Sequence, residues 1–274
     1  MRGIVQMATE VVQLKRRRFG ETMRRDAWWV EPLVVFLVLS GFVAYATWAA
    51  LQNSHYEFGP YLSPFYSPLL FADSPHAWIR GGRPGWVPDF LPFSPALLIL
   101  PFPAGFRFTC YYYRGAYYKA FWSDPPSCTV GEPRNGYRGE SFLPLTIQNI
   151  HRYFLYAALI FLVILSIDAY KAMWFADPAT GERSFGMGVG TLVLIINVVL
   201  LAGYTLGCHS LRHLVGGYLD RLSRAPARRK AYDCVSCLNR GHMQWAWPSL
   251  FWVAFADVYI RLCSMGIWND VRLF

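Results

Sequence analysis

Six side chains of the kinds that bind metals fall within 35 residues of this chain: Cys208, His209, His213, Cys234, Cys237 and His242. His209 and His213 are four apart, so on a helix they share a face. Cys234 and Cys237 form CxxC, a spacing at which two thiolates hold one metal ion. His242 stands just ahead of Trp245 and Trp247. Such a donor set admits three chemistries. One is a Rieske-type two-iron, two-sulfur (2Fe-2S) cluster, in which two His replace two Cys on one iron and raise its potential. The second is a structural zinc site. The third is a b-type haem on two His. A plainer reading leaves the thiols free and the histidines capping helix ends. The pairing stays open, since Cys208 with His209 and Cys237 with His242 could also form the two arms of a cluster. Six candidates thus stand for an expected four ligands.

The elements that must position these residues belong to a membrane protein. Of the 274 residues, 54% are hydrophobic and only 16% charged, well below the roughly 25% of soluble domains. Five segments exceed the roughly 20 residues needed to cross a hydrocarbon core: about 31–52, 92–117, 147–172, 188–213 and 245–268. The sequence therefore predicts an all-α membrane protein, a bundle of five transmembrane helices over 31–268. A basic, amphipathic arm (1–30) precedes it and a short external tail (269–274) follows. The arm carries a helical pattern, IVQMATEVVQLKRRR (4–18), suited to docking a peripheral partner or lipid head groups. Pro95, Pro101 and Pro103 remove backbone donors from the second span, which is expected to be kinked. Cys208 and His242 then mark the ends of the fourth span and the approach to the fifth, at one membrane depth.

Charge orients the bundle. Twenty of the 26 Lys and Arg residues fall within 1–30, 106–152 and 212–244. That asymmetry puts the N-terminus and the Cys–His group in the cytoplasm and the C-terminus outside. The net charge of +9 is thereby a topology signal and no sign of nucleic-acid binding. A reducing compartment argues against a structural disulfide in the CxxC. It also argues against a competing reading, a membrane thiol–disulfide oxidoreductase feeding quinone, which needs its CxxC on the oxidising side. A transporter would call for internal repeats, and none is visible.

Residues 106–123, FRFTCYYYRGAYYKAFWS, pack tyrosine and cationic side chains where the second span meets water. An aromatic belt accounts for part of this. Hydroxyl and guanidinium donors at that depth also suit the carbonyls of a quinone head group. Tyr118, Trp122, His151, Arg212, Trp245 and Trp247 are the candidate pocket residues. Asp257 and Arg261 lie one turn apart in the last span. They are expected to pair across i,i+4 facing the bundle, or else to serve a proton path or quinone contact. The 53–91 loop is long enough to require an ordered partner surface or a function. His55 and His76 within it read as ordinary loop histidines.

Three stretches carry a family resemblance: PFSPALLILPFPAGFRFTCYYYRGAYYKAFW (92–122), the segment from Ile147 to Tyr170, and GCHSLRHLVGG (207–217). They resemble the membrane-anchor subunit of an actinobacterial-type succinate dehydrogenase, a succinate:menaquinone oxidoreductase of the bacterial plasma membrane. The likeness extends over most of residues 30–270. It implies an anchor without succinate chemistry of its own, holding a flavoprotein and an iron–sulfur subunit on the cytoplasmic face and passing their electrons to menaquinone. It leaves open whether such complexes form a higher oligomer. Five-helix anchors with two haems supply four axial histidines over both leaflets. Here no span offers a histidine on the outer side, which leaves the Cys–His group as the expected relay.

Overall fold

The computed structural model describes residues 18–88, 90, 93–134, 141, 145–177 and 180–274. The chain forms two compact units, one of Met1–Leu37 with Gly115–Arg138, the other of Val38–Arg114 with Gly139–Phe274. The helical pattern over 4–18 lies almost wholly outside the described residues, and 18–29 run without helix.

In the smaller unit, two backbone hydrogen bonds pair the segment near Gly20 with that near Gly131, both at 3.0 Å. The Arg24 guanidinium donates to Ser127 Oγ at 2.7 Å and the Cys128 carbonyl at 3.1 Å. It also donates to Asp26 and so holds that carboxyl below its usual range. A π-helical turn, Tyr118–Trp122, clusters Tyr117, Tyr118 and Trp122, with ring centroids 5.4 to 6.1 Å apart.

The larger unit is a helical bundle. Helix α1 (Val30–Gln52) begins in the smaller unit and continues into it. The others are α2 (Pro95–Ile99), α3 (Pro101–Phe108), α4 (Tyr111–Tyr117), α5 (His151–Lys171), α6 (Val189–Leu206), α7 (His209–Gly216), α8 (Pro226–Arg240) and α9 (His242–Ser264). Among the described residues, three helices are long and apolar enough to cross a membrane: Val30–Gln52, Thr146–Lys171 and Val189–Leu206. Helix α9 is as long as α1 but carries Asp257 and Arg261.

Two expected spans are divided. The 92–117 segment runs as α2, α3 and α4 in place of one kinked helix. Pro95 and Pro101 each sit in a first helical turn, where a missing N–H costs nothing, and each starts a new helix. The 188–213 segment stops at Leu206. There the backbone turns at Gly207, where a Cβ would meet the Gly203 carbonyl oxygen at 2.7 Å, and at Cys208, which is extended. Between the fourth and fifth expected spans the basic stretch contains a further helix, α8, which starts on Pro226.

Close packing sets the spacing of the helices. Gly105 of α3 lies under the Phe154 ring of α5, and Gly203 of α6 under Trp245 of α9; a Cβ would meet those rings at 2.3 and 2.4 Å. At one end of the bundle, residues 53–88 fold into a cap. A hairpin pairs β1 (Glu57–Phe58) with β2 (Tyr61–Leu62), and a short parallel pair joins β3 (Phe71–Ala72) to β4 (Ile79–Arg80). Leu62, Phe65, Tyr66 and Leu69 bury themselves against Ala49 and Ala50 of α1.

Three carboxylates staple this cap. Asp257, wholly buried, accepts from Tyr45 Oη at 2.5 Å, from Ser63 Oγ and from Arg261 Nε at 3.2 Å. The i,i+4 pair expected from the sequence is thus present, and Arg261 donates also to the Ser54 carbonyl at 2.9 Å. Asp168 accepts from Ser67 Oγ at 2.5 Å. Asp270 accepts from Tyr61 and Tyr259 at 2.7 Å each and from the Gly190 amide at 2.8 Å. Burial pushes the Tyr61 and Tyr66 phenols above their ordinary pKa, so both remain donors. Two further strands, β5 (Trp174–Ala176) and β6 (Arg183–Phe185), form a hairpin between α5 and α6.

Candidate metal centre and adjoining chamber

At the end of the bundle opposite the cap, four helix termini each present a cysteine or a histidine. Cys110 follows α3 and Cys208 follows α6; His151 opens α5 and His242 opens α9. The sulfur and imidazole groups meet in two pairs. Cys208 Sγ lies 3.1 Å from His151 Nε2 and Cys110 Sγ lies 3.5 Å from His242 Nε2. The pairs are neighbours, since Cys208 lies within electrostatic reach of Cys110 and His151 of His242. Cys110, Cys208 and His151 are buried.

The hydrogen bonds around His151 fix its tautomer. Thr109 Oγ1 lies 2.7 Å from the Gly105 carbonyl oxygen, to which it donates in helical fashion, and 2.7 Å from His151 Nδ1. With its proton committed, the hydroxyl oxygen accepts from Nδ1–H. Nε2 is then the unprotonated nitrogen and accepts from the Cys208 thiol at 3.1 Å, and it is the atom that this imidazole would offer to a metal.

Aromatic rings tie the two imidazoles together. Phe106 stacks on His151 at 4.8 Å, Tyr204 stacks on His242 at 4.9 Å, and the two rings meet edge-on at 5.4 Å. The Tyr204 hydroxyl, turned toward Cys110, has no nitrogen or oxygen partner among the described residues, and neither does His242 Nδ1. Arg107 sits 4.6 Å over the Tyr204 ring. Its donors go to Tyr113 Oη at 2.9 Å, the Ala246 carbonyl at 3.2 Å and Ser249 Oγ at 3.0 Å.

The six residues singled out from the sequence do not converge. Cys208 and His242 enter the two pairs just described. His209 and His213 pair with each other on α7, Nε2 to Nε2 at 2.9 Å. Cys234 and Cys237 are exposed on α8, which packs against the end of α6 through Asn239 Nδ2 and the Gly207 carbonyl at 2.7 Å. The reason is the unexpected α8 itself, whose helical run carries the CxxC on its open surface. Among the described residues, no group of three or more His, Cys, Asp or Glu side chains closes around a single metal ion. Cys110, which local spacing concealed, takes the place of the CxxC. Counting membrane depth from the start of the second span would have brought it level with His151.

The candidate quinone residues are dispersed. His151 belongs to the Cys–His pairs. Arg212 joins α7 to α8 through Ser236 Oγ at 3.0 Å and stacks over Tyr232. Trp245 packs on Gly203, and Trp247 Nε1 donates to Tyr112 Oη at 2.7 Å. Tyr118 and Trp122 lie in the smaller unit. On the bundle side of Phe106 and Tyr204 there is instead an apolar chamber of about 370 Å³, walled by α1, α2, α3, α5, α6 and α9.

Residues 30–266 match the family described as actinobacterial succinate dehydrogenase subunit SdhC. A chain in a structure titled "Mycobacterium smegmatis Sdh1 complex in the apo form" is 41% identical and superposes with a TM-score of 0.84, over 97% of this chain and 99% of that one. No curated protein matches the chain.

Proposed function

The chain belongs to the actinobacterial succinate dehydrogenase SdhC family, and from that premise we propose that it anchors the flavoprotein and iron–sulfur subunits to the plasma membrane and passes their electrons to menaquinone. Three apolar helices supply crossings; α9 and the broken α2–α4 segment supply the other two of a five-span bundle. The Lys and Arg bias supports a Cys–His end in the cytoplasm, where it would face the soluble subunits.

Cys110, His151, Cys208 and His242 hold a Rieske-type two-iron, two-sulfur cluster in this reading. The observation that carries it is the meeting of two buried or half-buried Cys–His pairs at four helix ends. Two Cys and two His are the donor set of such a cluster. No three of these side chains close around one point among the described residues, which suits a two-iron core, with both Cys on one iron and both His on the other, better than a single tetrahedral zinc ion. When bound, the cluster supplies a one-electron carrier between the soluble subunits and the quinone.

The surrounding residues have definite tasks. Thr109 holds His151 in its ligating tautomer. Phe106 and Tyr204 shield the imidazole faces from the apolar interior. Arg107, fixed by three acceptors, places a positive charge beside the centre, which favours its reduced form. Iron and acid-labile sulfide assays with EPR on the purified, reduced complex test the reading. It expects two irons in this chain and a cluster signal that disappears in Cys208→Ser. Zinc alone, or a Soret band without a cluster signal, would refute it.

A further inference from the structure

Tyr204 carries a polar group that the Cys–His end leaves unanswered. The residue is buried, at 1% exposure, and its hydroxyl has no nitrogen or oxygen partner among the described residues. Buried tyrosine hydroxyls normally find an acceptor. This ring is not free to turn and seek one. It stacks on His242 at 4.9 Å, meets Phe106 and Tyr113 edge-on at 5.4 and 6.0 Å, and carries the Arg107 guanidinium 4.6 Å from its centroid. The stacked imidazole is the one whose Nε2 lies 3.5 Å from Cys110 Sγ, and the Tyr204 hydroxyl is turned toward that same sulfur. Cys110 is itself buried. The neighbouring donors are committed elsewhere: Arg107 to Tyr113, Ala246 and Ser249, and the Tyr113 hydroxyl to the Ala246 carbonyl at 2.7 Å.

We infer that the Tyr204 hydroxyl donates to Cys110 Sγ when that sulfur binds iron, and that this bond raises the reduction potential of the centre. The inference rests on the reading of the Cys–His end as a cluster. A metal-bound cysteine is a thiolate. It accepts hydrogen bonds and has no proton to give, so a phenol beside it is a matched donor. The added electron of the reduced state places more negative charge on sulfur. A donor aimed at that sulfur, in a site closed to water, therefore favours reduction, and hydrogen bonds to the sulfurs are among the levers that set such potentials. Arg107 pushes in the same direction by its charge, and it keeps its own acceptors when only the Tyr204 hydroxyl is removed.

The test is a redox titration of the purified whole complex, followed by EPR, on the parent and on Tyr204→Phe. The substitution removes one oxygen and leaves a ring to stack on His242 and under Arg107. The expected result is an unchanged iron content with a lowered potential: reduction about tenfold less favourable, or about 59 mV for one electron. Tyr113→Phe is the control. It removes a hydroxyl from the same ring cluster, but one already committed to a carbonyl, and is expected to move the potential far less. Equal shifts in the two variants would mean general loosening and overturn the inference, as would an unmoved potential in Tyr204→Phe. Should Tyr204→Phe fail to retain iron, 3-fluorotyrosine introduced at position 204 decides. It is a stronger donor of nearly the same size and is expected to raise the potential; an unmoved or lowered value overturns the inference. A parent complex without a cluster signal refutes the reading of the centre, and the inference with it. A parent signal with an unmoved potential in Tyr204→Phe refutes the inference alone.

Discussion

The two ends of the bundle treat buried polar groups in opposite ways. At the cap, the carboxylates have their donors: Asp257 receives Tyr45, Ser63 and Arg261, and Asp270 receives Tyr61, Tyr259 and the Gly190 amide. At the Cys–His end the contacts are sulfur to nitrogen, and Tyr204 Oη and His242 Nδ1 lack ordinary partners. Among the described residues, the other buried unpartnered side-chain atoms are those of Asn197 in the middle of α6, and none lies in the cap. Native structures satisfy nearly all buried polar atoms, so each exception asks for an explanation. The cap is a solved structural problem. The opposite end retains valence for something else.

The contrast breaks most sharply under substitution of a sulfur. Cys110→Ser is expected to abolish the cluster EPR signal and reduce succinate-driven quinone reduction to background, while dye-linked succinate oxidation persists. If Cys110→Ser keeps a full cluster signal, the two-pair assignment is wrong. Next in size is Asp257→Leu at the cap. It strands Arg261 as a buried unpaired cation and is expected to destabilise by about 3–5 kcal/mol, read as a lowered thermal midpoint of the complex. The double variant Asp257→Leu with Arg261→Leu recovers most of that loss, because no unpaired charge remains. Neither cap change is expected to alter the EPR line shape of the assembled fraction.

The cap was easier to anticipate from sequence than the centre, and the difference is physical. An Asp–Arg pair one turn apart in an apolar segment has a single economical arrangement, so Asp257 and Arg261 could be paired from spacing alone. The long 53–91 loop, rich in aromatic residues and poor in charge, had to bury itself, and Leu62, Phe65 and Tyr66 do so. The centre instead joins residues 110, 151, 208 and 242, one at each of four helix ends. Nothing local in the chain announces their meeting. CxxC drew attention because its spacing is local, yet a helix starting at Pro226 turns both thiols outward. His151 could be placed at a helix start but not matched to Cys208, since that match depends on how α5 and α6 pack. At the break, Gly207 passes so close to α8 that a Cβ there would stand 3.1 Å from the Leu238 carbonyl oxygen, a closeness visible only once α6 and α8 are packed.

A smaller effect sharpens the comparison within the centre. Thr109→Val keeps shape but removes the oxygen that accepts from His151 Nδ1. Outer-shell partners of metal-bound histidines are typically worth about 10–100-fold in metal affinity. The expected result is a partial loss of iron and a shifted cluster potential, with Thr109→Ser restoring both. A merely structural role would lower the thermal midpoint in Thr109→Val and leave the potential unmoved.

The smallest effect expected is also the most discriminating. Replacing Cys234 and Cys237 together by Ser removes the most suggestive motif in the chain. Both thiols are exposed on α8. That helix meets α6 and α7 through Asn239, Arg228 and Ser236 and not through sulfur. Iron content, EPR signal and quinone reduction should therefore stay within about twofold of the parent, since surface substitutions away from packing and networks are usually worth under about 0.5 kcal/mol. Loss of iron in this double variant would mean that α8 delivers its thiols to the metal, and the division between the two ends would then have to be redrawn around the CxxC.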